Sequence, residues 1–360
     1  MRSLTHLSVL ISAAAMALAV LQGTALAAAP PKSVDAPAIT ADEKKQIIGG
    51  IIRKMRETYV FPQVADKVER ALRAAERRGE YSLITEGEAF ASKLTADLFA
   101  VTNDKHLGVS YSAEPLPPLG AAKARDPAAM ERWRASAARR NFAIPAVQVL
   151  PGNVGYIKLT NFLPAQFAGE TLAAAMRFVS NTDALVLDLR DNRGGDPNMV
   201  ALLLSYLVPP NTHLNDFYTR VDQTTTQVWS LPVVPGGAYG TERPVYVLTN
   251  GTTISAAEEV AYDLKQLKRG LVVGQQTAGG ANPGGSVPLN SHFAIFIPVG
   301  RAINPLTKTN WEGVGVSPDI VAEAGRELEV AHGHALRQLA SAAADPERKD
   351  ELRKVLENGL

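Results

Sequence analysis

Apolar residues recur along this chain at two different periods, and the changes of period divide it. After Thr40-x-x-Glu43, a capping box, Ile47, Ile48, Ile51, Ile52 and Met55 repeat at helical spacing until Tyr59-Val60-Phe61-Pro62 stops the run. Two further amphipathic helices are predicted at about 63–79 and 84–100, so residues 40–105 read as a small N-terminal helical domain. Residues 106–146 read as a strand within His106–Ser112 followed by a connector. Its stretch 114–144, rich in Ala, Arg and Pro, carries Lys123, Arg125, Arg132, Arg134, Arg139 and Arg140 and reads as a solvated connector or helix rather than a ligand site.

From Val147 strands and helices alternate. Val154–Leu159 is a predicted strand, 164–180 a helix, Ala184–Leu189 a continuous apolar run of buried-strand type, and Asn198–Leu207 a helix. The strand Val245–Leu248 leads into a helix after Ser255, and Leu271–Gly274 and 292–299 are further strands. This order predicts an α/β sheet with helices on its faces over 147–325, closed by C-terminal helices at 326–342 and 346–358 within 326–360. No internal repeat is visible.

The N-terminus has a different character. Arg2 precedes an apolar run from Leu7 to Leu21, and Ala25-Leu26-Ala27 has the small-x-small form of a cleavage site. A run of about fifteen residues falls short of the roughly twenty that span a bilayer. Residues 1–27 therefore read as a secretory signal peptide cleaved after Ala27, 28–39 as a flexible Ala/Pro-rich leader, and the mature protein as secreted or periplasmic. No stable membrane insertion is expected.

Composition narrows the chemistry. The chain is 46% hydrophobic and 20% charged, as a globular protein with a large core is, and its formal net charge of +1 offers no electrostatic footprint for nucleic acid or an acidic membrane. The absence of cysteine removes disulfides, thiol nucleophiles and thiolate metal sites together. Six histidines, at 6, 106, 213, 292, 332 and 334, form no His-Glu-x-x-His pair, so neither a zinc centre nor any other metal or cofactor is expected.

Two strand-to-helix junctions can carry chemistry. In Thr252-Thr253-Ile254-Ser255-Ala256-Ala257-Glu258-Glu259 a serine is delivered to a helix N-terminus, where free N–H groups and the helix dipole favour developing negative charge. Acyl-transfer enzymes often hold a nucleophilic serine in such a place, yet Ser255-x-x-Glu258 is equally a capping box. In Asp188-Leu189-Arg190-Asp191-Asn192-Arg193-Gly194-Gly195 paired glycines let the backbone approach a ligand. The N–H groups of Gly194 and Gly195 can form half of an oxyanion hole with Ala256 N–H as the other half; a tight turn or a phosphate loop would use the same glycines. A serine nucleophile needs a base, and His106 beside a predicted strand can serve, or be a structural histidine. Glu312, in Asn310-Trp311-Glu312-Gly313-Val314-Gly315, can orient an imidazolium or form an ordinary ion pair.

Four segments together resemble the serine peptidase family of C-terminal processing proteases, the tricorn protease core and interphotoreceptor retinoid-binding protein. They are Asp104-Lys105-His106-Leu107, Leu187-Asp188-Leu189-Arg190-x-Asn192-x-Gly194-Gly195, Ile254-Ser255-Ala256-Ala257-Glu258 and Trp311-Glu312-Gly313-x-Gly315-Val316-x-Pro318-Asp319, in the family's order across about residues 40–325. The resemblance implies a crotonase-like ββα core, of the ClpP/crotonase kind, beside the helical domain. It further implies Ser255 as nucleophile, His106 as general base and Glu312 as supporting carboxylate.

The processing-protease branch pairs its serine with a lysine at the position of Gly280, while Lys265 and Lys268 lie along the helix after Ser255. A Ser-Lys dyad is thus disfavoured, and the chain is most similar to the retinoid-binding-like branch. The tricorn branch carries a serine before its histidine, where this chain has Lys105, so direct contact between Glu312 and His106 is left open. About 47 residues separate His106 from Val154, too few for an inserted PDZ domain. The implied activity is a serine-type peptidase acting on peptides or unfolded protein. The alternatives are an apolar-ligand-binding module on the same fold and, more weakly, an esterase or peptidoglycan-associated hydrolase.

Overall fold

Every side chain of the strand Ala184–Asp188 is buried, which demands cover on both of its faces. It pairs in parallel with Val154–Lys158 on one side and Val245–Thr249 on the other. Leu271–Gly274 and Ile320–Val321 extend the sheet in parallel, and Ala146–Leu150 closes the opposite edge antiparallel to Val154–Lys158. The result is a six-stranded mixed sheet in a mixed α/β fold. The computed structural model describes residues 38–116 and 127–358. The expected signal peptide, its cleavage site, nearly all of the leader, Lys123 and Arg125 lie outside the described residues.

Alternation along the central strands assigns the two faces. Leu185 and Leu187 point, with Val247 and Val272, at the helices Ala165–Phe178, Pro197–Ser205 and Ala256–Gln266, burying Leu172, Leu203, Leu204 and Leu264. Val186, Tyr246, Leu248 and Val273 face the other way and pack on Ala331, Ala335 and Leu336 of the helix Glu327–Ala342, which is backed by Pro346–Glu357.

The predicted N-terminal helices form as Ala41–Thr58, Pro62–Arg77 and Gly87–Thr102. The first has its capping box: Glu43 N–H donates to Thr40 Oγ1 at 3.2 Å and Thr40 N–H to Glu43 Oε2 at 2.9 Å. Their apolar stripes, with Ile47, Ile51, Met55, Leu72 and Leu94 at the centre, close on Phe293, Ile295 and Ile297 of the strand Phe293–Pro298. That strand pairs antiparallel with Gly108–Tyr111 and Gly284–Pro288. The helices thus share a core with a later strand, and the described residues form one compact unit.

A third sheet joins Gly300–Ile303 to the hairpin His213–Thr219 and Thr224–Trp229. The hairpin is not among the predicted elements because Thr224–Trp229 is almost wholly exposed and shows no apolar alternation. Part of the basic connector is helical, over Pro127–Ala138, and buries Ala137.

Candidate active site

The parallel strands ending at Asp188 and Thr249 lie side by side, and the turns leaving their carboxyl ends are tied together. Ile254 N–H donates to Asn192 O at 3.1 Å, Asp191 N–H to Asn250 Oδ1 at 3.2 Å, and Thr253 Oγ1 to Leu189 O at 2.9 Å. Open α/β sheets place ligands in such a crevice at the carboxyl ends of their strands. Arg190 braces the first turn from behind, its guanidinium 2.7 Å from Asp188 Oδ2 and 2.8 Å from Glu327 Oε2.

Ser255 caps the helix Ala256–Gln266 with φ 62° and ψ −124°. A non-glycine residue held in such a sparsely populated conformation carries about 1–3 kcal/mol of strain. The side chain of Glu258 accepts Ser255 N–H at 2.9 Å, so that half of the expected capping box is present. The next amide, Ala256 N–H, has no intramolecular acceptor among the described residues.

The two glycines opposite behave differently. Gly194 lies against the serine: a β-carbon there would be 2.7 Å from Ser255 Cβ and 3.1 Å from Ala256 N. Its N–H, however, donates to Asn192 Oδ1 at 2.8 Å. The expectation that Gly194 donates to an oxyanion is corrected here: the Asn192 side chain folds back and takes that proton. Gly195 N–H, like Ala256 N–H, has no acceptor among the described residues.

His106 is delivered by the end of the helix Gly87–Thr102, where Asn103 turns the chain through a left-handed φ of 52°. Asp104, buried, accepts His106 N–H at 3.0 Å and Leu107 N–H at 3.3 Å on Oδ1, and the Tyr59 hydroxyl at 3.0 Å on Oδ2. The imidazole stacks on Phe296, with ring centroids 5.9 Å apart and planes 29° apart. Its Nδ1 is buried without a hydrogen-bond partner. Burial lowers the His106 pKa, and the charge of Asp104 opposes that shift. A lowered value keeps the ring neutral, as a general base requires.

Glu312 reaches the same place from a turn locked to the glycine-rich loop. Trp311 Nε1 donates to Gly280 O at 2.9 Å, Gly313 N–H to Gly279 O at 2.9 Å, and Val316 N–H to Thr277 Oγ1 at 2.7 Å. Glu312 Oε2 accepts Ala281 N–H at 2.6 Å and Asn282 N–H at 2.9 Å, while Oε1 is buried without a partner. Burial first, then the charge of Asp104, pushes the Glu312 pKa up to about 7 against the pull of these amides. Asp104, His106 and Glu312 each offer an atom within 4.8 Å of the others. As a metal site the cluster is poorly supplied, because both Asp104 oxygens and Glu312 Oε2 already accept hydrogen bonds.

Lys105 is exposed, with Nζ 4.7 Å above the Phe99 ring. Lys265 is held by Asp319 at 2.8 Å and Ser317 O at 2.7 Å, along the far part of the serine helix. Tyr59, Asp104 and Phe296 also shape the site. Only Asp104 left a signal, as an Asx turn two residues before the histidine; the other two arrive through space.

The stretch 153–322 matches the family described as Peptidase family S41, and 40–147 matches the N-terminal domain of Peptidase S41 in eukaryotic IRBP. Over 180 residues the chain is 30% identical to a carboxy-terminal-processing protease of Bartonella bacilliformis, covering 48% of this chain and 39% of that one. Over 186 residues it is 31% identical to the chloroplastic carboxyl-terminal-processing peptidase 2 of Arabidopsis thaliana, covering 47% and 33%. The matched region thus spans well under half the length of these relatives. The fold is similar to that of mature CPAF, with a TM-score of 0.55 at 14% identity over 84% of this chain and 99% of that one.

Proposed function

The chain belongs to peptidase family S41, and from that membership and the geometry of the site we propose that it is a serine peptidase acting on extended or unfolded polypeptide. Ser255 Oγ attacks the peptide carbonyl while the second ring nitrogen of His106, Nε2, takes the hydroxyl proton. The tetrahedral oxyanion accepts hydrogen bonds from Gly195 and Ala256 N–H. Collapse releases the amine with the proton returned by His106, and water, deprotonated in turn by His106, hydrolyses the acyl-enzyme. Glu312 stabilises the imidazolium through the Nδ1 side. This chemistry needs no metal or cofactor.

The observation that carries the reading is a pair of complementary orphans. His106 Nδ1 and Glu312 Oε1 are both buried without partners, on residues whose polar atoms approach within 4.8 Å, beside the loop that touches the residue before Ser255. Burial leaves a carboxylate–imidazolium pair poorly screened, so charging the ring and ionising Glu312 reinforce each other. On the same reading the 40–105 helices are the platform that delivers His106 to a crotonase-like core at 147–325, which 326–360 closes. The signal peptide at 1–27 directs export to the periplasm or exterior.

A serine-reactive fluorophosphonate tests this directly. Wild-type protein is expected to gain one adduct mass on the peptide containing Ser255, and His106→Ala is expected to lose it. Equal labelling of both proteins would contradict the assigned base.

A further inference from the structure

The helix that begins after Ser255 carries a buried carboxylate that the mechanism above does not use. Glu258 is fully buried, and among the described residues no lysine, arginine or histidine pairs with it. Its Oε1 accepts the Thr277 hydroxyl and Gly279 N–H at 2.7 Å; its Oε2 accepts Gly280 N–H at 2.8 Å and Ser255 N–H at 2.9 Å. Three of the four partners are backbone N–H groups that can only donate, and the Thr277 hydroxyl, which itself accepts Val316 N–H, completes the set. Burial raises the Glu258 pKa above the ordinary carboxylate value, and the four hydrogen bonds offset only part of that rise.

We infer that Glu258 is a positioning residue for the peptidase reaction: its one carboxyl group fixes the nucleophile's backbone and the Gly279–Gly280 loop relative to each other. The inference rests on the peptidase reading above. Oε2 alone joins the Ser255 amide to that of Gly280, whose α-carbon faces both the imidazole of His106 and the side chain of Ile254. Oε1 extends the link, because the Thr277 hydroxyl that donates to it accepts Val316 N–H, at the far end of the turn carrying Glu312. The Glu258 side chain therefore joins the segment bearing Ser255 to the floor beneath His106, and Thr277 links that floor on to the turn bearing Glu312.

The arrangement also decides which amides serve the oxyanion. With its own N–H held by Glu258, Ser255 cannot donate it to substrate, and the hole must use the following residue. Fixing the serine at φ 62° by a buried hydrogen bond supplies a reason for the backbone to stay in that conformation. In its place, Gln would turn one of the two acceptors into a donor facing two donors. The loop and the serine would then separate by the fraction of an ångström that matters most for attack geometry.

The test compares wild type, Glu258→Gln, Glu258→Asp and Glu259→Gln, each confirmed folded by circular dichroism at the assay temperature. Glu259 is a buried acid on the same helix whose side chain accepts from Asn215 instead of from the loop or the serine amide. Two readouts are taken: kcat and KM on a cleaved peptide, and hydrogen exchange of the 277–282 amides. The expected result is a fall of about 100-fold or more in kcat for Glu258→Gln with KM within about threefold. Asp should be intermediate and Glu259→Gln near wild type in kcat. Exchange in 277–282 should accelerate in Glu258→Gln alone. A folded Glu258→Gln protein with wild-type kcat, or with unchanged protection of 277–282, would overturn the inference. If wild type cleaves nothing, the peptidase reading fails and the exchange result still decides whether Glu258 clamps the loop.

Discussion

Gly280 lies against His106 so closely that a β-carbon at position 280 would be 2.9 Å from the imidazole Cε1 and 3.0 Å from Cγ1 of Ile254. A side chain at 280 and a seated imidazole at 106 therefore exclude each other. The lysine that the processing-protease resemblance places at this position has no room while His106 occupies it. Choice of base in this fold becomes a question of which of two positions fills one volume. Gly280→Ala should displace the ring and lower kcat/KM about 10–100-fold, with the melting temperature nearly unchanged. Steady-state kinetics beside calorimetry checks it, and an Ala variant with full activity would show that the ring has slack.

The pH dependence follows from Glu312. A carboxyl protonated below about 7 cannot stabilise an imidazolium, so kcat/KM should climb as pH rises through about 7. Glu312→Gln should lower the plateau about 100-fold. Its remaining acid limb should move to lower pH, because burial holds His106 below its ordinary value once the carboxylate is gone. A pH–rate profile of both proteins decides. An acid limb in the same place for Glu312→Gln would remove Glu312 from the mechanism.

How much of this was legible before the fold was known differs residue by residue. The strand-to-helix junction at Ser255 and the glycine pair at 194–195 could be read because each is a local event: a buried strand, a turn, a helix start. The helical periods of 41–58, 165–178 and 327–342 were readable for the same reason. The edge strand Ala146–Leu150 and the Thr224–Trp229 hairpin were not, since half-exposed strands carry little apolar alternation. Within the site, adjacency misled at Gly194, whose N–H goes to the side chain of Asn192. Tyr59 and Phe296 reach His106 and its Asp104 from segments far apart in sequence, which no local pattern can announce.

Gly195 bears a sharper constraint than its neighbour. With φ at 144°, a β-carbon would be 1.9 Å from the Phe162 carbonyl oxygen, which also accepts Asp196 N–H at 2.7 Å. Gly195→Ala should therefore break that contact, lower stability by about 1–3 kcal/mol and reduce kcat about 100-fold or more as the oxyanion amide shifts. Urea unfolding and kinetics measured together check both parts. An active Gly195→Ala protein would place the oxyanion donor elsewhere.

Two acids on the serine helix set an alkaline liability. Glu259 and Asp263, one turn apart and buried, receive the amides of Asn215 at 3.3 Å and Asn304 at 3.1 Å, and no cation pairs with them among the described residues. Burial pushes Glu259 up to about 8 and, with Glu259's charge added, Asp263 well above the carboxylate range. Their folded-state values are raised, so the native chain holds protons that the unfolded chain releases. The stability they contribute is present below the unfolded carboxylate pKa, about 4, and is lost as pH rises through about 8. Asp263→Asn should flatten the fall in melting temperature between those limits; an unchanged slope would mean the pair is not what titrates.

The central claim is that Ser255 cleaves peptide bonds. The most direct measurement incubates the chain from Ala28 onward, and its Ser255→Ala variant, with a mixture of unstructured peptides and reads the products by mass spectrometry. Cleavage by the first and none by the second is the predicted result. Folded proteins that both leave every peptide intact, or that cleave alike, would contradict the assignment of Ser255 as a peptidase nucleophile.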